Sequence, residues 1–136
     1  MLNKIPKILS PEIVKRLMEM GHGDTVLLAD ANFPANTYGT KVIRADGHGI
    51  VELLKAILVL MPLDTYEPNP VKLMRTVKND PQPTIWNEYY KIIEQTNCEK
   101  IERYSFYEIT KKCHTIIQTG EMALYGNIIL TKGVIK

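Results

Sequence analysis

Residues 21–30 read Gly-His-Gly-Asp-Thr-Val-Leu-Leu-Ala-Asp. Thr25 to Ala29 is a short apolar run, entered from a glycine-rich turn and closed by a carboxylate, Asp30. Such a run fits a buried strand. Upstream, Ser10-Pro11-Glu12 opens a helix. Serine accepts from a free first-turn N–H, and proline at the first helical position has no N–H to leave unbonded. Ile13, Val14, Leu17 and Met18 give that helix an apolar stripe, and Gly21 is expected to end it in the left-handed conformation.

Downstream, residues 31–40 read as a loop and 41–44 as a strand. Residues 50–61 form the strongest helical pattern, with Ile50, Leu53, Leu54, Ile57 and Leu58 on one face and Pro62 beyond its end. Further strands are expected over 71–77, 100–104, 114–118 and 127–131, and a helix over 84–95. Ser105 and Glu108 have capping-box spacing, so another helix is expected to start there. Helices alternating with short apolar strands imply one α/β sheet with helices on its faces, in a single domain over residues 1–136.

Composition narrows the function classes. Seventeen Lys and Arg stand against 15 Asp and Glu, a net charge of +2. That balance argues against a dedicated phosphate-backbone binder, so no nucleic-acid partner is expected. The longest apolar run, 56–62, is far short of the roughly 20 residues that span a bilayer. The amino terminus interleaves lysines with single apolar residues and has no signal-like apolar core, so a cytoplasmic protein with two reduced thiols, Cys98 and Cys113, is expected.

Several residues could carry chemistry. Two Gly-His-Gly triplets, 21–23 and 47–49, expose imidazoles that titrate near neutrality and suit proton transfer; equally, their glycines serve turns and the histidines are solvated. The second triplet mimics a dinucleotide fingerprint, but Glu52 stands where the third glycine belongs. A carboxylate there would repel a pyrophosphate, and it suits a helix start without any cofactor. His22, His48 and His114 lack metal-ligand spacing, so no metal site is expected. Asp30 ends a strand, where ligand crevices of open α/β sheets lie, though an Asp there can also brace its own turn. Arg103, expected in a short strand, offers planar donors to hydroxyls or to a carboxylate. Tyr125-Gly126-Asn127 places a phenol, a close-approach glycine and an amide together, as polyol recognition requires and as tight hairpins also do.

Taken together, LMEMGHGD (17–24), DANFP (30–34) and IRADG (43–47) resemble the RbsD/FucU family of sugar mutarotases. RYSFYE (103–108), TGE (119–121), YGNIIL (125–130) and KGV (132–134) agree, in order and over essentially the whole chain. The resemblance implies a three-layer α/β/α, Rossmann-like fold and a cofactor-free aldose mutarotase. Carried over, His22 is the proton donor, Asp30, Arg103, Tyr125, Gly126 and Asn127 bind the sugar, and His48 has no role. Tyr125 is the candidate partner for the anomeric hydroxyl, with Asp24 or Asp30 as substitutes. Asn32 stands where some members have His. The pattern is nearer the L-fucose branch, because the D-ribose branch carries His at the position of Arg103 and lacks the Phe-Tyr-Glu run. Ring-shaped homo-oligomers, decamers of two pentamers with sites near subunit contacts, are implied as well. The rival expectations are a D-ribose pyranase of the same family and a non-catalytic monosaccharide-binding module.

Overall fold

The computed structural model covers residues 1–136. Six strands form one sheet: β1 (Thr25–Ala29), β2 (Val42–Ala45), β3 (Val71–Met74), β4 (Cys98–Ile101), β5 (Thr115–Thr119) and β6 (Ile128–Thr131). Five helices accompany them: α1 (Pro11–Glu19), α2 (Ala35–Tyr38), α3 (Ile50–Leu60), α4 (Ile85–Ile93) and α5 (Arg103–Thr110). The strand order is β2-β5-β1-β6-β3-β4. β1 pairs parallel with β5, β5 with β2, and β3 with β4. β6 lies between β1 and β3 and runs antiparallel to both. No helix is long and apolar enough to cross a membrane.

The sheet is covered on both sides, which explains the uninterrupted apolar strands. Side chains alternate between faces along a strand. Val26 and Leu28 accordingly join one core, with Leu53, Ile57, Trp86 and Tyr89 from α3 and α4 and Ile13 and Leu17 from α1. Leu27 and Ala29 join a second core, with Phe33, Ala35 and Phe106 from the α2 and α5 side. The result is the expected three-layer α/β/α sandwich.

Local chemistry sets the helix starts. The Ser10 hydroxyl accepts the Ile13 N–H at 3.2 Å, and Pro11 takes the first helical position. At the start of α3 the Glu52 carboxylate accepts the Gly49 N–H at 3.0 Å, and Glu121 accepts that of Ile50 at 3.2 Å. Those carboxylates occupy the helix N-terminus where a pyrophosphate would have to sit.

The structure corrects several expectations. Arg103 is the first residue of α5 and lies outside β4. Glu102 caps this helix, its carboxylate accepting the N–H groups of Tyr104 and Ser105 at 3.0 Å each. A carboxylate three residues ahead of Ser105 therefore preempts the expected Ser105 start. α1 ends at Met20 in extended backbone, and the left-handed glycine is Gly23, at φ +85°. Residues 31–40 contain the short helix α2. β3 is shorter than the expected 71–77 strand. Residues 125–127 form no hairpin turn, because β1 lies between β5 and β6.

Candidate functional site

β1, β3, β4 and β5 end on the same edge of the sheet, and antiparallel β6 begins there. A cavity of about 190 Å³ opens at this edge. Asp30, Asn32, Phe33 and Pro34 line it from the segment after β1, Met74 and Asp80 from the end of β3 and the loop beyond it. Arg103 and Tyr107 of α5 and Leu124, Tyr125 and Asn127 ahead of β6 complete the wall. A crevice at the carboxyl ends of strands is where open α/β sheets bind ligands. Its volume is below that of pockets for drug-sized molecules and suits a small ligand.

The floor is a buried polar network. The Asn127 side-chain carbonyl accepts the Asp30 N–H at 2.7 Å. The Gln118 amide donates to the Asp30 carbonyl at 2.7 Å, and the Thr119 hydroxyl to that of Ala29 at 2.7 Å. These bonds satisfy backbone groups where the ladder stops. The Asp30 carboxylate accepts the Asn32 N–H at 3.0 Å. Burial raises its pKa above the ordinary 3.8, and the N–H groups of Asn32 and Gly126 oppose that rise without cancelling it. Asp30 braces its own turn and lines the cavity.

Tyr125 sits at φ +58°, an uncommon conformation for a residue with a side chain. The core holds it there. The Trp86 indole N–H donates to the Tyr125 carbonyl at 3.0 Å, and the Tyr89 hydroxyl to the Gly126 carbonyl at 2.6 Å. The Tyr125 phenol donates to Asp80 Oδ2, and this bond raises its pKa above the usual 10.0. Crowding favours glycine at 126: a Cβ there would stand 3.0 Å from the Ala123 carbonyl oxygen.

Arg103 projects from the first turn of α5. Its Nε donates to the Tyr107 hydroxyl at 3.3 Å, and its guanidinium lies 5.6 Å from the Tyr104 ring centroid. Tyr107 is itself stacked on Tyr38, with centroids 4.9 Å apart and planes 8° from parallel. A ladder of aromatic rings therefore orients the cation.

His22 lies elsewhere. It precedes β1, so the length of that strand, roughly 17 Å, separates it from Asp30. Its Nε2 is 2.9 Å from Asp64 Oδ1, and its ring is 5.2 Å from that of Tyr66. Asp64 is 6% exposed and also accepts the N–H groups of Tyr66 and Glu67 at 3.2 and 3.0 Å. Burial pushes its pKa up, but those N–H groups and the imidazole outweigh burial, and the net shift is downward. Asp24, on the same edge as His22, accepts the Gly21 N–H at 2.7 Å and shapes the turn. His48 Nδ1 lies 3.3 Å from Glu52, and His114 Nδ1 lies 2.9 Å from the Thr115 hydroxyl.

One chain thus brings Asp30, Arg103, Tyr125, Gly126 and Asn127 to one edge of the sheet and leaves His22 on the other. Sequence reasoning missed Asp64 and Asp80, and took Tyr107 only as a neighbour of Arg103. Asp64 and Asp80 lie in irregular segments and acquire meaning only through partners far away in the chain. Tyr107 is one helical turn from Arg103, and that spacing was a usable signal.

Carboxylate, guanidinium, phenol and amide around a small cavity at a sheet edge define an α/β/α protein built to grip a small polar molecule. This chain belongs to the RbsD/FucU family: the family described as "RbsD / FucU transport protein family" matches residues 3–135. It is 48% identical to the fucose mutarotase of Homo sapiens, over 98% of this chain and 94% of that protein. It is 43% identical to the L-fucose mutarotase of Actinobacillus pleuropneumoniae, over 98% and 97% of the two chains. The crystal structure of the Streptococcus pneumoniae fucose mutarotase in complex with L-fucose superposes with a TM-score of 0.96 at 48% identity, covering 99% of this chain and 100% of that one. Bacillus subtilis RbsD complexed with D-ribose shares the fold, with a TM-score of 0.76 at 21% identity and coverage of 94% and 95%.

Proposed function

We propose that this protein is a fucose mutarotase, an isomerase that interconverts the α and β anomers of L-fucopyranose. The observation that carries the reading is the convergence of Asp30, Arg103, Tyr125 and Asn127 on one small cavity. The set combines an acceptor, a planar cation, a phenol and an amide, as a ring of hydroxyls requires.

Anomer exchange opens the ring. The ring oxygen gains a proton, the anomeric hydroxyl loses one, and the free aldehyde turns and recloses on its other face. The reaction needs an acid, a base and hydroxyl contacts, and each positioned acid or base contributes about 10²- to 10⁴-fold. In this reading His22 protonates the ring oxygen and Tyr125 engages the anomeric hydroxyl. Asp30, Arg103 and Asn127 hold the other hydroxyls, and Gly126 lets the backbone come close.

His22 reaches the sugar only if another copy of the chain supplies it, because β1 separates it from the cavity within one copy. In this reading the working form is a homo-oligomer; the family resemblance, not this geometry, implies the decamer of two pentameric rings and a cytoplasmic setting, each copy being a single mutarotase domain over residues 1–136. Exposed apolar side chains beside the cavity, Leu124 at 64% and Tyr104 at 69%, and Tyr66 beside His22 at 67%, support burial of both edges in such a contact.

Saturation-transfer NMR between the anomeric protons tests the reading, with L-fucose and D-ribose run in parallel. Accelerated exchange of L-fucose is expected. Acceleration of ribose alone would reassign the substrate, and sugar binding without acceleration of either would leave a binding module.

A further inference from the structure

We propose that Asp80 receives the proton displaced from the anomeric hydroxyl, acting through the Tyr125 phenol. The inference rests on the mutarotase reading and names the base that reading leaves open.

The geometry of the pair is the first support. Asp80 and Tyr125 both line the cavity, and the Tyr125 O–H donates to Asp80 Oδ2. With its own proton committed to a carboxylate, the phenol presents a lone pair to a sugar hydroxyl. The Val77 N–H, 3.4 Å from the phenolic oxygen, adds a dipole that favours negative charge there. Tyr125 is fixed through its backbone by Trp86 and Tyr89. Asp80 is set by a turn in which its N–H donates to the Val77 carbonyl at 3.1 Å.

The other carboxylates are the second support. The Asp30 carboxylate is already engaged by the Asn32 N–H at 3.0 Å. Asp24 holds the Gly21 N–H on the far edge of the sheet. The Asp80 carboxylate has the Tyr125 phenol as its hydrogen-bond partner, so it is aligned on one proton.

The step balances. The C1–ring-oxygen bond breaks toward the ring oxygen, which takes a proton from protonated His22. The anomeric O–H bond breaks and its electron pair forms the aldehyde C=O. That proton passes to the Tyr125 oxygen as the phenolic proton passes to Asp80. Open-chain aldehyde, neutral His22 and protonated Asp80 result. Reclosure on the other face reverses each transfer, and no oxidant or co-reactant is consumed.

Anomer exchange of L-fucose by the full chain, read by saturation-transfer NMR as kcat and KM, tests this. The variants are Asp80→Asn, Asp80→Glu, Tyr125→Phe and the Asp80→Asn/Tyr125→Phe double. Asp80 is exposed, and thermal melting verifies that each variant folds. Asp80→Asn should lower kcat about 10²- to 10⁴-fold with KM within about threefold, and Asp80→Glu should recover part of the loss. The double variant should be no slower than Tyr125→Phe by more than about twofold, since the pair acts as a unit. A kcat for Asp80→Asn within about threefold of wild type, or losses that multiply in the double variant, would overturn the role of Asp80 alone. Wild-type protein that leaves L-fucose exchange at the buffer rate would overturn the mutarotase reading, and the Asp80 step with it.

Discussion

Asn127 Oδ1 accepts the backbone N–H of Asp30 at 2.7 Å, across the seam where β1 ends and β6 begins. Asn127 is 3% exposed, so this side chain is both the ladder's last rung and part of the cavity wall. The bond couples the position of the Asp30 carboxylate to the start of an antiparallel strand that arrives from the far end of the chain.

Asn127→Ala therefore leaves a buried N–H unpaired. The expected loss is about 1–3 kcal/mol of stability, measured by urea denaturation, together with sugar binding too weak to saturate. Wild-type stability in this variant would show that water or a rearranged Gln118 replaces the amide.

His22 is 45% exposed on its side chain, and its partner Asp64 keeps two backbone N–H donors when the ring is removed. His22→Ala should accordingly still fold, losing about 1–3 kcal/mol because a buried carboxylate gives up one charged hydrogen bond. Anomer exchange of L-fucose should fall by about 10²- to 10⁴-fold. Near-normal turnover would remove His22 from the reaction. Mixing His22→Ala with Arg103→Ala protein tests the shared site, because random reassembly restores activity only where two copies build one pocket.

Much of this arrangement was legible in the residues themselves. Thr25–Ala29 announced a strand covered on both faces, and Ser10-Pro11 and Glu52 announced their helix starts through the N–H groups they relieve. The direction of β6 and its insertion beside β1 were not legible. An apolar run of Ile128–Thr131 carries no mark of orientation, and pairing partners are settled by the packing of the whole sheet. Glu102 was overlooked because Ser105 and Glu108 satisfied a motif, although a nearer carboxylate reaches the same first-turn donors. Residues 22 and 64 meet through turns whose geometry no periodicity describes. The distance between His22 and the cavity was invisible for the same reason.

Asp64 should shape the acid side of the stability curve. Its folded pKa is depressed below the ordinary 3.8, because N–H donors and His22 outweigh burial. A depressed carboxylate contributes stability that is present above the unfolded pKa and is lost as pH falls through the folded one. Between about pH 5 and pH 2, wild type should therefore lose more stability than Asp64→Asn, and the urea midpoints of the two should converge as pH falls. Parallel curves would mean that the carboxylate is not ionised preferentially in the native state.

Asp30 has the opposite sign. Burial raises its folded pKa, so the unfolded chain ionises first and binds fewer protons at intermediate pH. Stability must then fall as pH rises from the unfolded value near 3.8 through the folded one, and the cost persists at neutral pH. Asp30→Asn removes that cost while its side-chain carbonyl can still accept the Asn32 N–H that Asp30 holds at 3.0 Å. The variant should be at least as stable as wild type at pH 7 and should lack the decline above pH 4. Its affinity for L-fucose should nonetheless drop, because an amide is a weaker acceptor than a carboxylate for a sugar hydroxyl. Stabilisation together with lost binding would identify Asp30 as a charge retained at the expense of the fold because the ligand requires it. A variant that is less stable at every pH would instead assign Asp30 to the turn between β1 and α2, with the cavity a secondary use of its position.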